Sequence, residues 1–235
     1  MQKAFGTAPA PVLPTKKAAA RAALVDLDEP SNSLLTECFR QFGIETIPVS
    51  LIAAQRLHQE KFEACVTNLG PGAEAVMEAA RTSPSNGRLI LYVIGGNAQE
   101  AMRYSKYGIN AVFQAPLERP SALKLVRSTH MLVRHEFRRY VRIPVMTEVT
   151  VVSSDGRRIS TSSVDISSGG MSLKSAEDVP AGSKVEVSFS LLTLPRVSLR
   201  GVVTWRKTKS FGLRFDPADD RRQKVREWID AYLES

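Results

Sequence analysis

Cysteine is scarce in this 235-residue chain: there are two, Cys38 and Cys65, with no C-x-x-C spacing and no histidine cluster beside either. The pair offers neither a metal-ligand set nor a disulfide framework. Both lie in apolar stretches, which predicts buried free thiols and a reducing, cytoplasmic setting. No apolar run approaches the length needed to cross a bilayer. The start carries Lys16 and Lys17 but no apolar stretch after them of the kind that marks a secretory leader. Acidic side chains are outnumbered, 24 against 32 Lys and Arg, for a formal net charge of +8. That balance suits anionic partners such as nucleic acid, anionic lipid or nucleotides. Long Lys or Arg runs are also missing, as is a helix with clustered basic residues, so specific nucleic-acid binding is not expected.

What is present divides into two halves, as the length allows. Residues 1–20, rich in Ala, Pro and Lys, read as a disordered leader. Residues 21–133 alternate short apolar runs with helical stretches. Strands are expected at 22–25, 44–49, 64–69, 89–94 and 111–114. Helices are expected at 31–42 (capped by Ser31), 51–60, 72–81, 97–107 (stopped by Gly108) and 120–133. Strands alternating with helices imply α/β architecture, a doubly wound five-stranded parallel sheet with helices on both faces. From Val145 the period becomes two, with Val145, Thr147, Val149 and Val151 on one side. About six strands with regular turns, Asp155-Gly156 among them, point to a small all-β barrel over 134–235. A C-terminal helix follows, with Asp216 as cap and Pro217 in its first turn. Its stripe of Val225, Trp228, Ile229, Tyr232 and Leu233 fits barrel packing, and Trp205 and Trp228 read as core residues first and ligand stackers second.

Two short motifs carry the chemistry. Arg138 and Arg142 stand four apart, and Asp165-Ile166-Ser167-Ser168-Gly169-Gly170 follows about one strand pair later. A guanidinium can grip a phosphate through two parallel bonds, meet the O6/N7 edge of guanine, or stack on a purine. Asp165 can accept from guanine N–H groups, and Ser167 offers a hydroxyl. Gly169 and Gly170 permit positive φ and close backbone approach. Each motif alone has a plainer reading: a solvated basic last helical turn, and a strand-to-strand turn closed by Asp and Ser.

The ordered pair, R-x-x-x-R then D-x-S-x-x-G in a β-rich segment, resembles the PilZ domain, the bacterial receptor module for cyclic di-GMP. The ending from Gly201 to Phe215, G-x-V-x-W then F-G-L-R-F, is similar to it as well. The resemblance implies a non-enzymatic receptor whose ligand is held by Arg138, Arg142, Asp165, Ser167 and Gly170, with Arg134, Arg139 and Gly169 auxiliary.

The first half resembles a response-regulator receiver domain through Leu24-Val25-Asp26-Leu27-Asp28, Phe62 to Asn68 and Gly108 to Pro116. The family's phosphoacceptor position at the end of the third strand holds Asn68, its lysine position holds Ala115, and Ile94-Gly95-Gly96 has no hydroxyl. An amide is a poor nucleophile and a weak Mg²⁺ ligand. The half therefore reads as a pseudo-receiver in which Asp26 and Asp28 serve as cap and turn, and Gly95-Gly96 as a plain turn. The expected function is a cyclic di-GMP receptor that passes binding through domain reorientation to a signalling or motility partner. The alternative is a nucleotide-independent scaffold that dimerises or docks through the pseudo-receiver. No Gly/Ser linker separates the last helix of the first half from Arg138.

Overall fold

The structure, a computed structural model, describes residues 18–234 apart from 51, 97, 175, 176 and 178. The leader expected at 1–20 lies outside the described residues as far as position 17; Ala20 already begins a strand. The chain divides into two compact units, one covering Ala19–Arg138 and the other running from Arg139 onward.

The first unit alternates β1 (Ala20–Val25), α1 (Glu29–Arg40), β2 (Ile44–Val49), α2 (Ala53–Gln59), β3 (Ala64–Asn68), α3 (Ala73–Thr82), β4 (Ile90–Ile94), α4 (Ala98–Arg103), β5 (Ala111–Phe113) and α5 (Arg119–Tyr140). All four strand pairings are parallel, in the order β2-β1-β3-β4-β5, the doubly wound arrangement the alternation predicts. Leu24, Val66 and Tyr92 look toward α1 and α5, while Ala23, Cys65 and Leu91 look toward α2 and α3, so the sheet has a core on each face. Tyr92 stacks on Phe113 at 5.5 Å, meets Phe39 edge-on at 5.6 Å, and donates to Thr129 Oγ1 on α5 at 2.8 Å.

Three local expectations are corrected. The cap of α1 is Asp28, which accepts from the Ser31 N–H at 2.8 Å, so the helix starts at Glu29 rather than at Ser31. The helix expected at 97–107 is broken into α4 and a 3-10 turn at Ser105–Tyr107; its stop at Gly108 stands, with φ 62°. The last helix does not end near residue 133 but runs on to Tyr140.

A buried ion cluster fastens that extension. Glu63 and Glu136 are each 3 % exposed. Lys61 Nζ lies 3.3 Å from Glu136 Oε1 and 3.9 Å from Glu63 Oε1. Glu63 Oε2 also accepts from the Arg21 N–H at 2.7 Å. Burial pushes the Glu63 carboxyl above its usual 4.5, against the Arg21 amide and Lys61, which pull it down.

The second unit contains β6 (Ile143–Pro144), β7 (Glu148–Ser153), β8 (Arg158–Ser167), β9 (Gly170–Lys174), β10 (Lys184–Leu191), β11 (Leu194–Lys207), β12 (Ser210–Phe215) and α6 (Arg222–Glu234). The pairings run β8-β7-β10-β11-β12-β9 and close through β9–β8, giving a six-stranded antiparallel barrel with two-residue β6 added to β8. Its interior is filled by Val149, Val151, Ile159, Val187, Leu199, Phe211 and the stacked pair Phe189–Phe215, at 6.4 Å. The helix α6 packs on β11 and β8, and Trp228 Nε1 donates to Leu192 O at 2.6 Å. Asp216 is not its cap. The helix begins at Arg222, after a turn in which Asp216 accepts from Ala218 N–H and buried Asp219 from the Arg200 and Arg221 N–H groups. Trp228 is core, at 8 % exposed, whereas Trp205 is 36 % exposed and outside the barrel.

Both cysteines are free and buried, and burial pushes the Cys65 thiol up to about 12. A disulfide reagent at pH 8 should therefore leave both thiols unmodified in the native protein and titrate two after denaturation; rapid native reaction would contradict the packing. The variant Lys61→Met removes the cation beside two buried carboxylates, a loss of about 3–5 kcal/mol at neutral pH. Glu63, its carboxyl pKa raised by burial, holds its proton more tightly in the native state than in the unfolded chain, so its contribution to stability falls as pH rises above the usual 4.5. Urea midpoints for this variant should accordingly recover toward wild type as pH is lowered to about 5.

Candidate functional site

The segment from Val141 to Thr147 is extended, and its side chains alternate. Val141, Ile143 and Val145 are buried, whereas Arg142, Pro144 and Met146 are exposed. The buried set pins this strap to β8, with Ile143 opposite Ile166 and Pro144 opposite Asp165. Beyond β6, Ser163 takes over. Its hydroxyl accepts from the Thr147 N–H at 2.9 Å and donates to Val145 O, and backbone bonds join Val145 N–H to Val164 O and Ser163 N–H to Thr147 O. Arg142 thereby sits beside Asp165, and its Nη1 lies 2.8 Å from Asp165 Oδ1.

Asp165 faces outward because of a β-bulge. Ser163 is opposite Leu173, but Asp165 is opposite Ser172, leaving Val164 as the extra residue. Residues 163 and 165 of a regular strand would share a face. The bulge resets that phase, so Ser163 and Ile166 are interior, at 1 % and 0 % exposed, and Asp165 is turned out.

The rest of D-x-S-x-x-G is the turn from β8 to β9. Ser167 Oγ donates to Gly170 O at 3.0 Å, and Ser168 and Gly169 form the tip. Neither glycine uses positive φ, which corrects the expected reason for their presence. A Cβ at Gly170 would collide with Leu213 O of β12; the missing side chain makes room for a neighbouring strand. Gly169 has open space around it.

The arginines have different settings. Arg134 and Arg138, half-buried and one turn apart on α5, belong to the first unit, so Arg138 is helical. Arg139, exposed, holds its guanidinium 5.7 Å from the Tyr140 ring. One cation went unnoticed in the sequence. Arg214 is exposed, between interior Leu213 and Phe215, and lies opposite Gly170, which is itself opposite Ser167. Its side chain makes no ion pair among the described residues. The alternation in F-G-L-R-F signals an outward Arg214, but its strand neighbours are set only by the barrel's closure.

In the first unit, Asn68 ends β3 and its amide donates to Asp26 O at 3.3 Å. Asp26 adopts φ 49° in the turn after β1, and Asp28 caps α1. Among the described residues no three His, Cys, Asp or Glu side chains gather in a cluster that could hold a metal. None of the helices of the described residues is long and apolar enough to cross a membrane.

A family model described as the PilZ domain matches residues 136–234. No curated protein matches the chain. Among solved structures, the PilZ domain of CeSA from a cellulose synthesizing bacterium is similar at 18 % identity, covering 40 % of this chain and 99 % of that one with a TM-score of 0.35. The receiver domain of a sensor histidine kinase from Pseudomonas aeruginosa is similar at 15 % identity, 50 % and 99 % coverage and a TM-score of 0.41. A putative response regulator from Chloroflexus aurantiacus gives 19 % identity, 50 % and 100 % coverage and a TM-score of 0.42. The family match falls on the closed six-stranded barrel and both of its motifs, and it follows a parallel sheet of order β2-β1-β3-β4-β5: residues 136–234 are a PilZ domain, joined to an N-terminal receiver-like domain.

Proposed function

We propose that this protein is a non-enzymatic receptor for cyclic di-GMP, with a pseudo-receiver at 21–133 and the ligand-binding PilZ domain at 134–235. The observation that carries the reading is the Arg142–Asp165 pair, which sets a cation from the first motif against the acceptor of the second. Arg142 and Arg138 clamp phosphate and guanine edges. Asp165 accepts from guanine N–H groups, and Ser167, already donating to Gly170 O, accepts from the base or its water. Gly170 keeps the turn close to β12, and Arg134, Arg139 and Gly169 serve as auxiliary residues, with Arg214 a further cation beside Gly170.

The ligand replaces the Arg142–Asp165 pair. Both side chains are partly exposed, at 51 % and 23 %, and such surface pairs are worth only about 0–1 kcal/mol, so exchange costs little. Val141 and Arg142 connect α5 with β6, so ligand binding re-sets the chain at the end of α5, and a signalling partner reads the change in domain orientation. With Asn68 and Ala115 at the positions a phosphorylated receiver needs, the first half serves as an interaction domain rather than a phosphoacceptor.

Titration calorimetry with cyclic di-GMP tests the reading. Loss of a hydrogen-bonded charge is worth about 1.5–3 kcal/mol, so Arg138→Ala, Arg142→Ala and Asp165→Ala should each weaken binding roughly 10- to 100-fold. Binding should also weaken with added salt. A wild-type protein that fails to bind, or arginine variants that bind as wild type does, would favour the scaffold instead. Incubation with a small phosphodonor should leave no mass adduct at Asp26 or Asp28.

A further inference from the structure

Away from the Arg142–Asp165 pair, the outer wall of the barrel carries a groove of about 610 Å³ lined only by residues of the second unit. It crosses β7, β10, β11 and β12 and takes in Asp216 and Pro217 of the following turn. Register explains its composition. One row runs from Lys184 on β10 through Val202 on β11 to Arg214 on β12. The adjoining row runs from Val152 on β7 through Glu186 on β10 to Arg200 on β11, and the Asp216 N–H extends it by donating to Arg200 O at 2.8 Å. These side chains face outward because Val151, Val185, Leu199, Val203 and Phe215 beside them are interior.

The two rows differ in how their charges are met. Arg200 lies 3.8 Å from Asp216 and 3.7 Å from Asp219, and Glu186 lies 3.6 Å from Arg221. Lys184 and Arg214 are exposed, and neither makes an ion pair among the described residues. They flank half-buried Val202 with no acid between them. Their strands are two spacings apart, about 10 Å, so both long side chains can close on one anion above the valine. Like charges set this way repel, and a shared anion removes the repulsion. Val152, Val202 and Pro217 supply an apolar surface beside the cations. A mostly apolar groove with a few placed charges is suited to a short ligand of mixed character. A continuous polyanion is not suited, because Glu186 and Asp216 line the same groove and repel phosphates.

We propose that this groove docks a short acidic segment of a partner protein. One carboxylate sits between Lys184 and Arg214, and apolar side chains next to it in the segment rest on Val202 and Val152. Docking of this kind needs no nucleotide, so it stands apart from the receptor reading.

A displayed library of random seven-residue peptides, panned on the full chain, supplies the probe. Selected sequences should hold Asp or Glu beside Val, Ile or Leu. The synthetic peptide, followed by fluorescence anisotropy, should bind more weakly as salt is added. Lys184→Gln and Arg214→Gln should each weaken it roughly ten-fold or more, the effect of losing one hydrogen bond to a charged group. A peptide with Lys in place of its acid should prefer the double variant Lys184→Glu/Arg214→Glu to wild type. Failure to select any binder, selected peptides without an acid, or variants that bind as wild type does would each overturn the proposal. Oligonucleotide binding lost in the same variants would give the groove to nucleic acid, and concentration-dependent dimerisation lost in them would give it to a second copy; either result overturns the proposal too. Should a variant fail to fold, amide shifts of the wild-type chain decide: added peptide should move those of Lys184, Val202 and Arg214, and shifts confined to other residues sink the idea.

Discussion

The candidate site depends on how one strap of extended chain is fastened to one barrel strand. Three alternating apolar side chains, Val141, Ile143 and Val145, are drawn inward, and that burial leaves Arg142 nowhere to point but out. The strap has only two ladder residues of its own, so its remaining backbone groups need partners. Ser163 supplies them from inside β8 by accepting from Thr147 N–H and donating to Val145 O. A buried hydroxyl that serves two backbone groups is a structural tie, and it sets the distance between Arg142 and Asp165.

Phase is the second constraint. A strand's side chains alternate strictly, and a barrel wall that needs Ser163 inside and Asp165 outside cannot obtain both from an unbroken strand. The bulge at Val164 resolves the conflict, and the one at Thr204 does the same for Val203 and Trp205. Between them lie Ser172 and Gly212, small enough to leave the outer face low, and Gly170, where β9 passes too near β12 for any side chain. The barrel thus presents polar and aromatic groups on a face whose backbone is otherwise closely packed.

The receiver-like unit is built on a different economy of charge. Its central strands are apolar on both faces, and the buried carboxylates Glu63, next to β3, and Glu136, on α5, are held by Lys61. That cluster adds to the apolar contacts of Val133 and Phe137 in holding α5 beyond residue 133. Leu132 and Met131 are exposed, while Val133, Glu136 and Phe137 still pack inward. The helix consequently reaches Tyr140, which places Arg138 in its last turn and Arg142 beyond it.

Much of this was legible in the sequence. The alternation of apolar runs with helical spacing determined the parallel sheet, because a strand buried on both faces can only be written as a continuous apolar run. The period of two from Val145 determined the barrel, and R-x-x-x-R with D-x-S-x-x-G named the two segments from which Arg142 and Asp165 come together. The sequence could not reveal the end of α5, since Glu136 near that end is paired with a lysine 75 positions earlier. Nor could it reveal the outward turn of Asp165 and Trp205, because a bulge is a property of two strands and appears only when their register is fixed. The strand neighbours of Arg214, and the reason for Gly170, likewise belong to segments distant in the chain. Local periodicity sets which elements form; closure of the barrel, by fixing which residues stand side by side, decides what its surface can hold.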